Sequence, residues 1–159
     1  MSIKEIKISI NEYNSVNELN TEDNLLINSA KEASEKAYSP YSKFSVGAAV
    51  LLENGKIIQG NNQENAAYPS GLCAERVALF YANSKYPDIA VKSIAITVKK
   101  NDKFNDNPVP PCGACRQVML ETEMRFKTPI KVILYGEQKI QIIDKISDLL
   151  PLDFTADFF

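Results

Sequence analysis

The chain has 159 residues, of which 45% are hydrophobic and 24% charged, an ordinary globular balance that excludes an intrinsically disordered chain and suits one domain. No apolar run approaches the length of a bilayer-spanning helix, and Lys4, Glu5 and Lys7 interrupt the apolar stretch that a secretory signal would need at the start. A net charge of −2 without a long basic run argues against a nucleic-acid partner and for a small soluble ligand.

Residues 1–20 intersperse Ile3, Ile6, Ile8 and Ile10 with polar residues and then turn Asn-rich, reading as a short strand or arm ahead of a single domain over 21–159. Thr21 caps a helix carrying Leu25, Leu26, Ala30, Ala33 and Ala37, which must stop before Pro40. Val46–Leu52 and Ile57–Gly60 are β-rich runs around Asn54-Gly55, the mark of a hairpin turn. A polar loop with Pro69 and Gly71 leads into a helix over Cys73–Ala82, and Val91–Val98 reads as a strand. The charged stretch Lys99–Asn107 is expected as a solvated excursion. A helix over Cys112–Met124 follows Pro110-Pro111, then come a strand at Ile130–Tyr135 and another at Gln138–Ile143. Strands alternating with helices predict an α/β fold, a sheet covered by helices on both faces.

With no signal segment a cytoplasmic address is expected, and in that reducing compartment three cysteines read as metal ligands or catalytic thiols. Cys112 and Cys115 are three residues apart, so at the start of a helix their thiols share one face. Cys73 occupies a similar loop-to-helix junction, and the positive end of each helix favours the thiolate that binds metal. Structural zinc takes four protein ligands, whereas catalytic zinc keeps three and leaves a place for water. Three cysteines and no histidine supply three. Zinc lowers the pKa of a bound water to roughly 7, provided a base accepts the proton, and Glu75 is the candidate base if Cys73 stands at the very start of its helix. Taken alone, Cys112-Gly113-Ala114-Cys115 also reads as a redox pair, and Cys73 as a buried apolar residue; Glu75 would have no task in either.

The run Cys73-Ala74-Glu75 followed by Pro111-Cys112-Gly113-Ala114-Cys115 resembles the homotetrameric zinc-dependent cytidine deaminases. The resemblance continues through Ser39-Pro40-Tyr41-Ser42-Lys43-Phe44, Glu64-Asn65-Ala66-Ala67-Tyr68 and Arg116-Gln117-Val118. It implies a three-layer α/β/α fold with a central mixed sheet of about five strands, one Zn²⁺ per subunit, and hydrolysis of cytidine or 2′-deoxycytidine. It further implies that Asn62 and Glu64 hold the ribose hydroxyls, Phe44 packs beside the pyrimidine, the Ala74 N–H binds the base carbonyl, and the Pro110 carbonyl lies near the leaving amine. Arg76 would donate to the zinc cysteines, and Phe154 would reach a neighbouring subunit's substrate in a homotetramer with shared sites. Asn61 and Gln63 depart from the family's usual Cys and aliphatic residue, Pro110 from its Ser or Thr, and residues 1–20 are longer than usual. Within the same superfamily, a cytosine-containing antibiotic is the rival substrate.

Overall fold

A computed structural model describes residues 1–159. Seven strands form one sheet: β1 (Asn11–Tyr13), β2 (Phe44–Leu52), β3 (Ile57–Asn61), β4 (Val91–Lys100), β5 (Lys103–Phe104), β6 (Lys131–Tyr135) and β7 (Ile140–Ile143). Three helices accompany them: α1 (Thr21–Ser34), α2 (Ala74–Lys85) and α3 (Gly113–Phe126). The strand order is β1-β7-β6-β4-β2-β3, with β5 paired to the end of β4; β4 and β6 are parallel and every other pair is antiparallel.

The sheet is buried on both faces, and strand periodicity sorts its side chains between two cores. Ala48, Val50 and Leu52 of β2, Ile94 and Ile96 of β4, and Val132 and Leu134 of β6 meet Ala78 and Leu79 of α2 and Met119 and Leu120 of α3. The alternate residues Ala49, Leu51, Ala95, Ile133 and Tyr135 meet Leu26, Ile27 and Ala30 of α1. The expected helix-covered sheet and mixed pairing are therefore present, with seven strands in place of about five.

The two additional strands lie where periodicity is silent. Lys99–Asn107 is a small hairpin and not a bare excursion: Asn101 and Asp102 both adopt positive φ, at 50° and 62°, and fold β5 back onto β4. The strand in the N-terminal arm is Asn11–Tyr13, paired with β7, while the isoleucines at 3, 6, 8 and 10 are exposed. Tyr13, Val16 and Leu19 pack against the α1-side core, so the arm's second half does join the domain. Asn20, one residue earlier than expected, caps α1 through a reciprocal pair with Asp23: its Oδ1 accepts the Asp23 N–H at 2.8 Å and its Nδ2 donates to the carboxylate at 2.9 Å. Ala37 lies beyond the end of α1, and Leu25 faces solvent.

Direction places the loops. Because β3 and β4 are both antiparallel to β2, they run the same way, and the chain leaves both at the same edge of the sheet before returning through α2 and α3. The start of β2, at Phe44, lies opposite Lys100 at that same edge. Gly60 lets α2 settle onto the sheet there: a Cβ on it would stand 2.5 Å from both the Ala74 carbonyl oxygen and the Ala78 nitrogen. Gly60→Ala is accordingly expected to lower stability by about 1–3 kcal/mol through overpacking. Gly113→Ala, whose Cβ meets nothing within 4 Å, is the control. Thermal midpoints at matched protein concentration decide it, and an unshifted Gly60→Ala would mean that α2 does not depend on this close approach.

Candidate metal centre and cavity

Cys73 and Cys112 are the N-cap residues of α2 and α3, each in extended backbone with ψ of 151° and 164°. Neither side chain caps its own helix, so both sulfurs are free to face outward from the helix ends. Cys115 lies in the first turn of α3 and is fully buried, Cys73 is half-buried and Cys112 exposed. The Cys73 and Cys112 sulfurs are 3.9 Å apart and those of Cys112 and Cys115 3.4 Å, and all three lie within 4.8 Å of one another. Tetrahedral zinc with Zn–S bonds of about 2.3 Å requires sulfurs about 3.8 Å apart. The trio fits zinc, and offers three ligands where a structural site would have four.

The surroundings favour thiolate at Cys73. Hydrogen bonding from Cys115, then from Arg76 and Cys112, holds the Cys73 thiol at about 5, well below its usual value, against the opposing effect of burial. Cys115 moves upward because it is the hydrogen-bonded partner of Cys73 and is desolvated. Arg76 Nη2 donates to Cys73 Sγ at 3.7 Å, and Arg76 Nε is a buried donor without an acceptor in the chain. A fixed cation beside three thiolates offsets the single excess negative charge that they would carry with Zn²⁺.

Glu75, one residue into α2, is 4% exposed. Desolvation raises its carboxyl above the ordinary value, opposed by its own backbone N–H and reinforced by the charge on Cys73. It lines a cavity of about 560 Å³ together with Cys73, Cys112, Arg76, Phe44, Asn62, Glu64 and Pro110. Tyr41, Ser42 and Tyr68 border the same space, and Val46, Ile96 and Val98 add apolar wall. Ala74 is fully buried at the first position of α2, where a backbone N–H has no intrahelical acceptor.

Asn62 and Glu64 enter this cavity already engaged. Asn62 Oδ1 accepts the Val46 N–H at 2.8 Å while its Nδ2 donates to the Phe44 carbonyl at 2.9 Å, extending the β2–β3 ladder by a side chain. Glu64 accepts the backbone N–H groups of Tyr41 and Ser42. Asn61 and Gln63 bond to each other, Gln63 Nε2 donating to Asn61 Oδ1 at 2.5 Å. Of the expected site residues, Ala74 and Cys115 do not line the cavity but stand beside Cys73 and Cys112, whereas Phe154 lies away from both the cavity and the sulfurs. The residue is 59% exposed, and its ring packs on Phe158 and Phe159, with centroids 6.0 and 5.7 Å away.

Two supporting residues carry no sequence signal of their task. Arg116 donates from Nε to the Pro111 carbonyl and from Nη1 to the Leu149 carbonyl, both at 2.9 Å, bracing the loop that delivers Cys112. Buried Glu123 accepts the backbone N–H groups of Ile130 and Ile146, each at 2.8 Å. Arg116 stands in a motif that draws attention, whereas Glu123 is one charged helix residue among several.

Residues 20–128 match the family model described as the cytidine and deoxycytidylate deaminase zinc-binding region. Over 136 residues the chain is 46% identical to the cytidine deaminase of Halalkalibacterium halodurans, covering 84% of this chain and 94% of that protein. It is 32% identical over 137 residues to a cytidine deaminase of Mycobacterium tuberculosis, covering 84% and 90%. The crystal structure of cytidine deaminase from Burkholderia pseudomallei aligns with a TM-score of 0.70 at 41% identity, covering 82% of this chain and 98% of that one.

Two substitutions test the metal centre. Cys112→Ala should abolish stoichiometric zinc, since two ligands remain, and metal analysis of the purified protein would show it; full retention would remove Cys112 from the ligand set. Arg76→Gln should keep the fold and weaken zinc binding by about 10–100-fold, read as faster metal loss to a chelator.

Proposed function

The chain belongs to the cytidine and deoxycytidylate deaminase family, and we propose that it converts cytidine and 2′-deoxycytidine hydrolytically to the corresponding uridines with release of ammonia. One observation carries this reading: a buried carboxylate, Glu75, stands beside three convergent thiols on a cavity that also holds Asn62 and Glu64. A nucleoside suits the cavity better than a nucleotide. Its only lining cation is Arg76, which is turned to Cys73, so no free charge is left for a phosphate.

When bound by Cys73, Cys112 and Cys115, zinc supplies the Lewis acidity that makes a water nucleophilic near neutral pH. Glu75 accepts the proton of the water that adds to C4 and gives it to N3 of the ring. It then carries the remaining hydroxyl proton to the amino group, so that ammonia leaves and a carbonyl forms at C4. The Ala74 N–H holds the base carbonyl, the Pro110 carbonyl orients the leaving amine, and Phe44 packs against the ring. Asn62 and Glu64 receive the sugar. Arg76 holds Cys73 and limits the negative charge around the metal. Atoms balance as one water consumed and one ammonia released.

Residues 21–159 are read as the catalytic domain with 1–20 as an appended arm. No helix is long and apolar enough to cross a membrane, and three free cysteines serving a metal suit the reducing cytoplasm. The exposed rings of Phe154, Phe158 and Phe159 form an apolar cluster of the kind that a partner covers. We assign that partner as a second copy, in a homotetramer where Phe154 closes a neighbour's cavity and excludes water.

Glu75→Gln should retain zinc and fold while losing at least about 10²–10⁴-fold in kcat, because the amide moves no proton. Ammonia release from cytidine, measured beside metal content, checks this; turnover within a few-fold of wild type would end the assignment. Phe154→Ala should impair cytidine turnover more than thermal stability. A fully active monomer in sedimentation would rule out the shared cavity.

A further inference from the structure

Ser42 joins two parts of the cavity that the proposed reading assigns separately to base and sugar. Its Oγ donates to Glu64 Oε1, while the Tyr41 and Ser42 backbone N–H groups donate to Glu64 Oε2 at 2.9 and 3.3 Å. The same Oγ accepts the Phe44 N–H at 3.0 Å. The turn is held from within as well: the Lys43 N–H donates to the Ser39 carbonyl at 3.1 Å, and the Ser39 and Ser45 hydroxyls are 2.8 Å apart. Lys43 adopts φ of 55°, a left-handed conformation uncommon for a side chain of its kind. Tyr41, Ser42, Phe44 and Glu64 all face the cavity.

An ionised carboxylate offers about four acceptor positions. Three donors of the turn use most of them and prevent the group from rotating, so a hydroxyl arriving from the cavity meets a fixed acceptor with little freedom left to lose. The Ser42 hydroxyl is also the largest influence holding the Glu64 carboxyl below its usual value, which keeps it an acceptor. Polar groups fixed in this way discriminate strongly against a ligand that lacks the matching hydroxyl, because the acceptor then goes unpaired.

We propose that Ser42 is a positioning residue that locks Glu64 as the acceptor for a sugar hydroxyl and ties it to the Phe44 backbone, so that selection for a hydroxylated sugar depends on Ser42 as well as on Glu64. The inference rests on the reading of Glu64 as a sugar-facing residue, and the experiment separates the two. KM for cytidine and Ki for 2′,3′-dideoxycytidine, which keeps the base but lacks both secondary hydroxyls, are measured for Ser42→Ala, Ser42→Thr and Glu64→Ala holoenzymes.

Ser42→Ala should raise KM for cytidine about ten-fold with kcat little changed, leave Ki for the dideoxynucleoside within about two-fold of wild type, and be rescued by Ser42→Thr. With its strongest donor gone, the Glu64 carboxyl rises towards its ordinary value. The acid-side increase in the cytidine KM therefore begins at higher pH in Ser42→Ala than in wild type. Equal weakening of both ligands by Ser42→Ala, with Glu64→Ala affecting cytidine alone, would make Ser42 a merely structural residue and overturn the inference while the sugar reading stands. A wild-type KM in Ser42→Ala would overturn it too. Equal weakening of both ligands by Glu64→Ala would instead remove the sugar reading on which it rests.

Discussion

The convergence of the Cys73 sulfur with those of Cys112, 39 residues on, and Cys115 is the constraint on which the rest of the molecule depends. Two helix starts must meet at one edge of the sheet, and the strand directions provide this: β3 and β4, each antiparallel to β2, deliver the chain to the same edge. Once there, each helix presents a cysteine at its N-cap, where backbone dipoles favour thiolate. The close seat of α2 over Gly60 and the brace from Arg116 to Pro111 fix the two ends against each other. Ligand sites at the carboxyl ends of strands are a general outcome of open α/β sheets. In this chain the same geometry also brings in Phe44, since β2 runs oppositely and starts where β4 ends.

Charge balance explains why an acid and a guanidinium share the turn that follows Cys73. Glu75 is withdrawn from water and its carboxyl is biased towards the protonated form, which suits the proton-carrying role proposed for it. Arg76 faces the opposite demand. It donates to Cys73, and in the proposed mechanism its charge would keep three thiolates from quenching the electrophilicity that a metal there supplies. Three consecutive positions, Cys73, Ala74 and Glu75, can serve one centre because the metal site lies off the helix end, where the usual separation of helix faces does not apply.

Legibility in the sequence followed the range of the interactions. The Asn54-Gly55 turn, the long strands and the helices were readable because each is set by local pattern, and Gly55 indeed adopts φ of 80°. The thiol positions were readable because two of them share a helix turn and the third is followed by Glu75. β5 and the exact place of β1 within the N-terminal strand or arm escaped because strands of two and three residues have no period to detect, and their pairing depends on a neighbour's free edge. The engagement of Glu64 with residues 41 and 42 was equally hidden, since the partners lie 22 or 23 residues away and nothing local marks the acceptor. Phe154 lies outside its own chain's cavity, and no local pattern in the sequence could place it relative to that cavity.

The metal-bearing helix also controls the C-terminal segment. From α3, Arg116 reaches the Leu149 carbonyl, Gln117 Nε2 donates to the Phe154 carbonyl at 2.8 Å, and Glu123 accepts the Ile146 N–H. These contacts span much of the helix, so the tail is directed by the same rigid element that positions Cys112 and Cys115. A small displacement of α3 would therefore move two ligands and the base of the aromatic tail together. If the tail closes a neighbour's cavity, α3 links the metal centre of one subunit to the cover of the next, and assembly and metal loading become mechanically related. The link is carried by backbone carbonyls and amides on the tail side. It therefore constrains Arg116, Gln117 and Glu123 while leaving most tail side chains free to suit the surface they meet.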